Sequence, residues 1–210
     1  MSASPPRVLL PDPMDPQATD RPPLRLCLVA PSGSGKSTTA GLMRECFEAQ
    51  GLTVRVLKLA APLYRLQSVI YAEAGLTVGQ GAQDQCLLES LAQHLRRIQP
   101  HALARRFLEA LAAAETDTDV IINDDLRDDT SDWPALRQAG FSVIKLVAQP
   151  TLRQQRMAIR NDLSVVVHSP LDAQMARIPP DFVLTNNGSL AALRRQVEAL
   201  CTLLVERAPA

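Results

Sequence analysis

The stretch that most constrains this chain runs Leu24-Arg25-Leu26-Cys27-Leu28-Val29-Ala30-Pro31-Ser32-Gly33-Ser34-Gly35-Lys36-Ser37-Thr38. An apolar run ends in a Gly/Ser turn, a lysine and two hydroxyls follow, and a helical pattern begins. Strand, loop, Lys-Ser and helix in that order read as a phosphate-binding loop, with Ala30 where the usual pattern has its first glycine. Gly33 and Gly35 let the backbone curl so that successive N–H groups point at a phosphate. The opening helix adds the positive end of its dipole. Lys36 can reach the outer phosphates of ATP, and Ser37 can give an oxygen to Mg²⁺. The expected nucleotide contacts are Gly33, Ser34, Gly35, Lys36, Ser37 and Thr38.

A phosphate loop needs a parallel sheet behind it, and the chain can supply one. With 210 residues, 46% of them apolar, one α/β domain is the expectation. Lys and Arg total 22 and so do Asp and Glu, so no bulk field points to nucleic acid or an anionic membrane. Aromatics at 3% leave too few rings to stack a single strand of nucleic acid. No apolar run reaches the length of a membrane span, and the N-terminus lacks a secretory pattern. Cys27, Cys46, Cys86 and Cys201 are widely spaced and read as small buried hydrophobes in a reducing cytoplasm.

Residues 1–23 hold seven prolines and little periodicity, so they read as a flexible arm before a domain over 24–210. From there strand and helix patterns alternate. Strands are expected at 24–29, 53–59, 119–123, 141–148 and 181–185. Helices are expected at 36–50, from 61 toward 74, and at 84–97, 100–114, 131–139, 151–159 and 190–205. Such alternation predicts a parallel sheet with helices on both faces, and ligands at the carboxyl ends of its strands. The phosphate loop, Asp124, Arg127 and the Asn186 turn should therefore gather at one edge.

Several residues at that edge carry chemistry. Asp124 and Asp125 end a buried strand, where a carboxylate can hold Mg²⁺ through water or take a proton from a hydroxyl. Either can equally cap a helix or form a turn. Arg127 can bind an acceptor phosphate bidentately, or pair with Asp128 or Asp129. Arg153, Arg156 and Arg160 share one helix face with no acidic partner among them, which suits a ligand bearing several phosphates. Lys58 ends the second strand, where a cation suits an anionic acceptor or snorkels to solvent. His168 reads as a structural hydrogen-bonder.

Five segments occur in a recognisable order. They are the phosphate loop, Lys58-Leu59-Ala60-Ala61-Pro62-Leu63, Asn123-Asp124-Asp125-Leu126-Arg127, His168-Ser169-Pro170-Leu171-Asp172, and the run from Asp181 through Asn186-Asn187-Gly188 to Leu190. Over residues 24–204 the chain resembles the P-loop nucleotide kinases, and within them the (deoxy)nucleoside monophosphate kinase group of phage and bacteria. The resemblance implies a three-layer P-loop NTPase fold with a helical lid, and transfer of the γ-phosphoryl group of ATP with Mg²⁺. It implies Lys36, Asp125, Arg127, Arg156 and Arg160 at the chemistry. It further implies Lys58, Asp124, Arg127 and Arg96 around a small phosphate-bearing acceptor, Ser37 and Asp124 at the metal, and Asn187 by the adenine. A homodimer is compatible with it. The chain departs from the group over 79–100, where Gln83, Asp84 and Gln85 precede Arg96 and Arg97. Two alternatives stand beside this one. The first is a kinase of a hydroxyl-bearing nucleoside, metabolite or antibiotic with Asp124 or Asp125 as base, and the second a nucleotide-dependent switch ATPase.

Overall fold

A computed structural model describes residues 22–79, 81–159, 162–164, 166 and 169–207. Nearly all of the expected arm, together with Arg160 and His168, lies outside the described residues. Among those described, five strands form one parallel sheet: β1 (Leu24–Val29), β2 (Val54–Val56), β3 (Val120–Asn123), β4 (Ser142–Val147) and β5 (Phe182–Thr185). Their order is β2-β3-β1-β4-β5. The helices are α1 (Lys36–Glu48), α2 (Ala61–Glu73), α3 (Gln85–Ile98), α4 (Ala102–Ala114), α5 (Asp132–Gln138), α6 (Pro150–Ile159), α7 (Leu171–Arg177) and α8 (Leu190–Arg207). None of the helices among the described residues is long and apolar enough to cross a membrane.

The central strands are apolar at successive positions because both of their faces are covered. Side chains alternate across a strand, so each strand divides its residues between two cores. Leu26, Leu28, Ile122, Ile144 and Leu146 pack with Met43 and Phe47 of α1 and with Val197 and Cys201 of α8. Cys27, Val29, Ile121 and Val143 face the other way, onto Phe107 and Leu111 of α4, Leu136 of α5 and Met175 of α7. A third cluster, Leu63, Leu88, Ala92 and Leu103, joins α2, α3 and α4 away from the sheet. It forms one wall of the cleft described below.

The topology puts the ends of β1 and β3 together, since Cys27 lies opposite Asn123 in the parallel ladder. Asp124 therefore emerges beside the loop that follows β1. Two elements differ from expectation. The second strand stops at Val56 rather than near Leu59. Leu57 N–H still reaches the Ile122 carbonyl (2.9 Å), but the Leu57 carbonyl accepts from the Asn123 side chain (3.0 Å) and the chain turns away. An alternating pattern cannot reveal that a side chain has taken over from the ladder. The short helix α7 was not expected; it sits between Pro170 and Pro179, and its Met175 is buried in the second core. Cys86 is also exposed, near the start of α3, whereas Cys27 and Cys201 are buried.

Candidate active site

The loop after Val29 needs glycine at two positions for two reasons each. Gly33 and Gly35 have φ of 78° and 97°, in the left-handed region. A Cβ on Gly33 would lie 2.5 Å from the carbonyl oxygen of Arg153, and one on Gly35 2.5 Å from Nδ2 of Asn186. The loop is thus gripped by α6 and by the turn after β5. Arg153 Nε donates to the Ser32 carbonyl (3.0 Å), and Asn186 Nδ2 donates to the Ser34 carbonyl (2.9 Å). Lys36 Nζ folds back onto the carbonyls of Ala30 and Pro31, across the mouth of the loop. Ser37 and Thr38 are exposed at the start of α1.

Asp124 sits beneath the loop with its side chain only 3% exposed. Its Oδ2 accepts from Ser37 Oγ (2.9 Å) and its Oδ1 pairs with Lys58 Nζ (2.5 Å). A hydroxyl and one carboxylate beside a phosphate cradle fit Mg²⁺, which takes few protein oxygens and completes its shell with phosphates and water. These two residues would hold it.

Asp125 is differently engaged. Its Oδ1 accepts the Leu59 N–H (2.9 Å) and Asn123 Nδ2 (2.7 Å), and its Oδ2 accepts the Ala60 N–H (3.0 Å). It therefore pins the turn between β2 and α2. Burial pushes its carboxyl up, the Ala60 N–H pulls it back, and neighbouring Asp124 pushes it up again.

The arginines divide into two groups. Arg127 reaches Glu89 at 3.8 Å, and Arg96 pairs with Asp132 and, at 3.9 Å, with Asp128. Neither pairing is visible in the sequence, where the acidic residues near Arg127 are 124, 125, 128 and 129. Arg156 Nη2 donates to the Asn186 carbonyl (3.0 Å), so it braces the turn that grips the loop. Of the two described arginines of the stripe, it is Arg153 that touches the phosphate loop itself. Asn187 is exposed and caps Gln149 N–H (2.8 Å), while Asn186 points to the loop. Consecutive residues leaving a strand face opposite ways, so one of the two asparagines had to point outward.

The stretch 79–97 becomes intelligible through a contact about 80 residues away in sequence. The segment after α6 docks on the start of α3: Leu163 N–H reaches the Gln83 carbonyl (2.9 Å), Ser164 Oγ donates to Asp84 Oδ1 (2.5 Å), and Cys86 N–H donates to Ser164 Oγ (3.0 Å). Asp84 also caps α3 by accepting Leu87 N–H and takes a bond from Tyr71 (2.8 Å). Desolvation pushes its carboxyl up, but the bonds from Ser164, Leu87, Tyr71 and Cys86 outweigh that and hold it below the usual range. A depressed carboxyl stabilises the fold above its unfolded value and loses that contribution as pH falls through the folded one. Wild type should therefore exceed Asp84→Asn in chemical denaturation above about pH 4 and converge on it as the acid limb is entered. A constant gap down to the lowest pH would show that the ionised latch contributes nothing.

Next to Asp125 a cleft of about 70 Å³ opens. Leu59, Leu63, Leu88, Ala92 and Leu103 form its apolar wall, and Arg96, Arg127, Asp125, Asp132, Gln83 and Gln85 its polar one. An apolar wall facing a few convergent polar groups suits a small molecule.

The chain matches no family model and no curated relative. It is similar in structure to the shikimate kinase of Acinetobacter baumannii in complex with shikimate, at TM-score 0.51 and 14% identity, covering 90% of this chain and 96% of that one. It is similar also to the APS kinase of Mycobacterium tuberculosis in complex with AMPPNP and APS, at TM-score 0.52 and 18% identity over 88% and 99%. The fold is that of the P-loop kinases. A shikimate kinase from Bacteroides thetaiotaomicron agrees, at TM-score 0.53 and 14% identity over 87% and 98%. At such identities the likeness establishes the fold alone.

Proposed function

We propose that the protein is an ATP- and Mg²⁺-dependent kinase that transfers the γ-phosphoryl group to a small phosphorylated acceptor of the nucleoside monophosphate type. The observation that carries this is a cleft in which two arginines face an apolar wall, lined by Asp125, the residue that follows the Asp124 bonded to Ser37. The wall suits a flat base. Arg127, whose contact to Glu89 at 3.8 Å is long for an ion pair, can turn to a phosphate and bind it bidentately. Structures of this fold in complex with shikimate and with APS support a small-molecule acceptor.

The chain's residues then divide the work. Loop N–H groups and Lys36 hold the outer phosphates and meet the charge that develops on the transferring group. Arg153 and Arg156, on the helix that grips the loop, add cations at its flank. Bound Mg²⁺ would neutralise phosphate charge from the Ser37 and Asp124 side. Closure of the cleft excludes water.

A second reading keeps the fold and changes the acceptor to a hydroxyl, with Asp125 as general base. Its raised carboxyl and its place on the cleft favour this. Against it, both Asp125 oxygens already accept N–H groups. Incubating the protein with MgATP and a panel of nucleoside monophosphates, nucleosides and hydroxylated metabolites, read by mass spectrometry, separates the readings. Asp125→Asn turns an amide N–H against one of the backbone N–H groups that Asp125 pins, so the two acceptors are compared in the same variant: a hydroxyl acceptor should slow by about a hundredfold or more beyond a phosphate acceptor, the share that a general base contributes. ATP hydrolysis with no phosphorylated acceptor across the panel would point to a switch ATPase and sink both.

A further inference from the structure

Asp132 pairs with Arg96 and lines the cleft, but takes no part in the phosphoryl transfer described above. It opens α5 and is buried to 2% exposure, yet the first-turn N–H groups there are already served. Asp128 Oδ1 accepts the N–H groups of Ser131 (2.6 Å) and Asp132 (3.0 Å) and the Ser131 hydroxyl (2.8 Å). Asp132 spends one oxygen, Oδ2, on Arg96 Nη2. Its Oδ1 is buried without a hydrogen-bond partner among the described residues, and so is Nε of Arg96. The Arg96 Nε contact to Asp128 at 3.9 Å is too long to be a hydrogen bond. Buried polar atoms are rarely left unpaired, and an acceptor and a donor on adjacent cleft-lining residues are left so together.

Resting on the reading of the cleft as the acceptor site, we propose that Asp132 and Arg96 read the acceptor's base, Asp132 Oδ1 taking an N–H from its edge and Arg96 Nε giving one to the adjacent acceptor atom. A carboxylate or phosphate offers acceptors only and would be repelled by Asp132, so the group bound here is neutral. A nucleobase edge sets a donor beside an acceptor, the complement of such a pair. The apolar residues opposite, Leu63, Leu88, Ala92 and Leu103, suit its faces. The phosphate of the same acceptor goes to Arg127, which keeps the two ends of the ligand on different cations.

The test uses the full chain and the nucleoside monophosphate that wild type phosphorylates best. Methylating the donor nitrogen on that base edge should lower wild-type kcat/KM by about tenfold or more, chiefly through KM, as expected when a buried partner is left unpaired. In Asp132→Asn the same methylation should cost several times less, and the order of preference among the bases should change. If the variant folds poorly, the methylated substrates still report on wild type alone. A methylation penalty below about twofold in wild type overturns the inference. So does a uniform fall for all bases in Asp132→Asn with the penalty unchanged, because that is what a merely structural ion pair predicts. If wild type phosphorylates no nucleoside monophosphate, the functional reading fails first and the inference goes with it. Phosphorylation with unaltered base ratios sinks the inference alone.

Discussion

Lys36→Ala is expected to lower kcat for phosphoryl transfer by about a hundred- to a thousandfold, the range seen when one preorganised charge-stabilising donor is lost. The geometry gives the reason. Lys36 Nζ lies on the Ala30 and Pro31 carbonyls, at the mouth of the loop where phosphate oxygens would replace those carbonyls as acceptors. Its charge can therefore move from loop to ligand with little displacement. Lys36→Arg should fall nearly as far, because a planar fork cannot stand in for a compact ammonium in so close a cradle. Steady-state rates, paired with binding of a fluorescent ATP analogue and a thermal melt, check this. Turnover within about threefold of wild type, in a folded variant, would remove the loop from the chemistry and leave it a structural turn.

How much of this could be read from residues alone depended on distance along the chain. The strand Leu24–Val29, the loop after it and the acidic end of β3 are local patterns, and each lies where its pattern puts it. Parallel pairing then brings Asp124 to Ser37 without further information. What could not be read depends on contacts through space. Gly33 is a glycine partly because the Arg153 carbonyl crosses it, and nothing near Gly33 in sequence says so. The choice of Asn186 over Asn187 turns on the parity with which β5 ends. Asp125 looks like a free carboxylate until Leu59 and Ala60, more than sixty residues earlier, present their N–H groups to it. The start of the stretch 79–97 carries no motif because Asp84 and Cys86 bond Ser164, on a segment they meet only in the folded chain.

Asp124→Asn separates a metal ligand from a structural carboxylate. The amide keeps the size of the side chain and one oxygen that can accept the Ser37 hydroxyl, but it removes the charge. If Asp124 served only to neutralise Lys58, then Asp124→Asn and Lys58→Ala would break the same pair and have similar consequences. The metal role predicts a strong asymmetry. Lys58→Ala leaves the carboxylate intact beside Ser37 and should change kcat by less than about tenfold, whereas Asp124→Asn should cost about a hundredfold or more, the scale of a lost charge-stabilising group. Stability should move little in Asp124→Asn, since the Lys58 side chain is 37% exposed and re-solvates when its partner goes, whereas Lys58→Ala leaves the 3% exposed Asp124 carboxylate without its cation and should lower the melting temperature. The sharper readout is the dependence on Mg²⁺. In Asp124→Asn the concentration giving half-maximal rate should rise, while binding of metal-free ATP, titrated calorimetrically, should hold or improve because a negative charge beneath the phosphates has gone. Equal rate losses in the two variants, with an unchanged Mg²⁺ requirement, would assign Asp124 to the ion pair and leave the metal without its protein carboxylate.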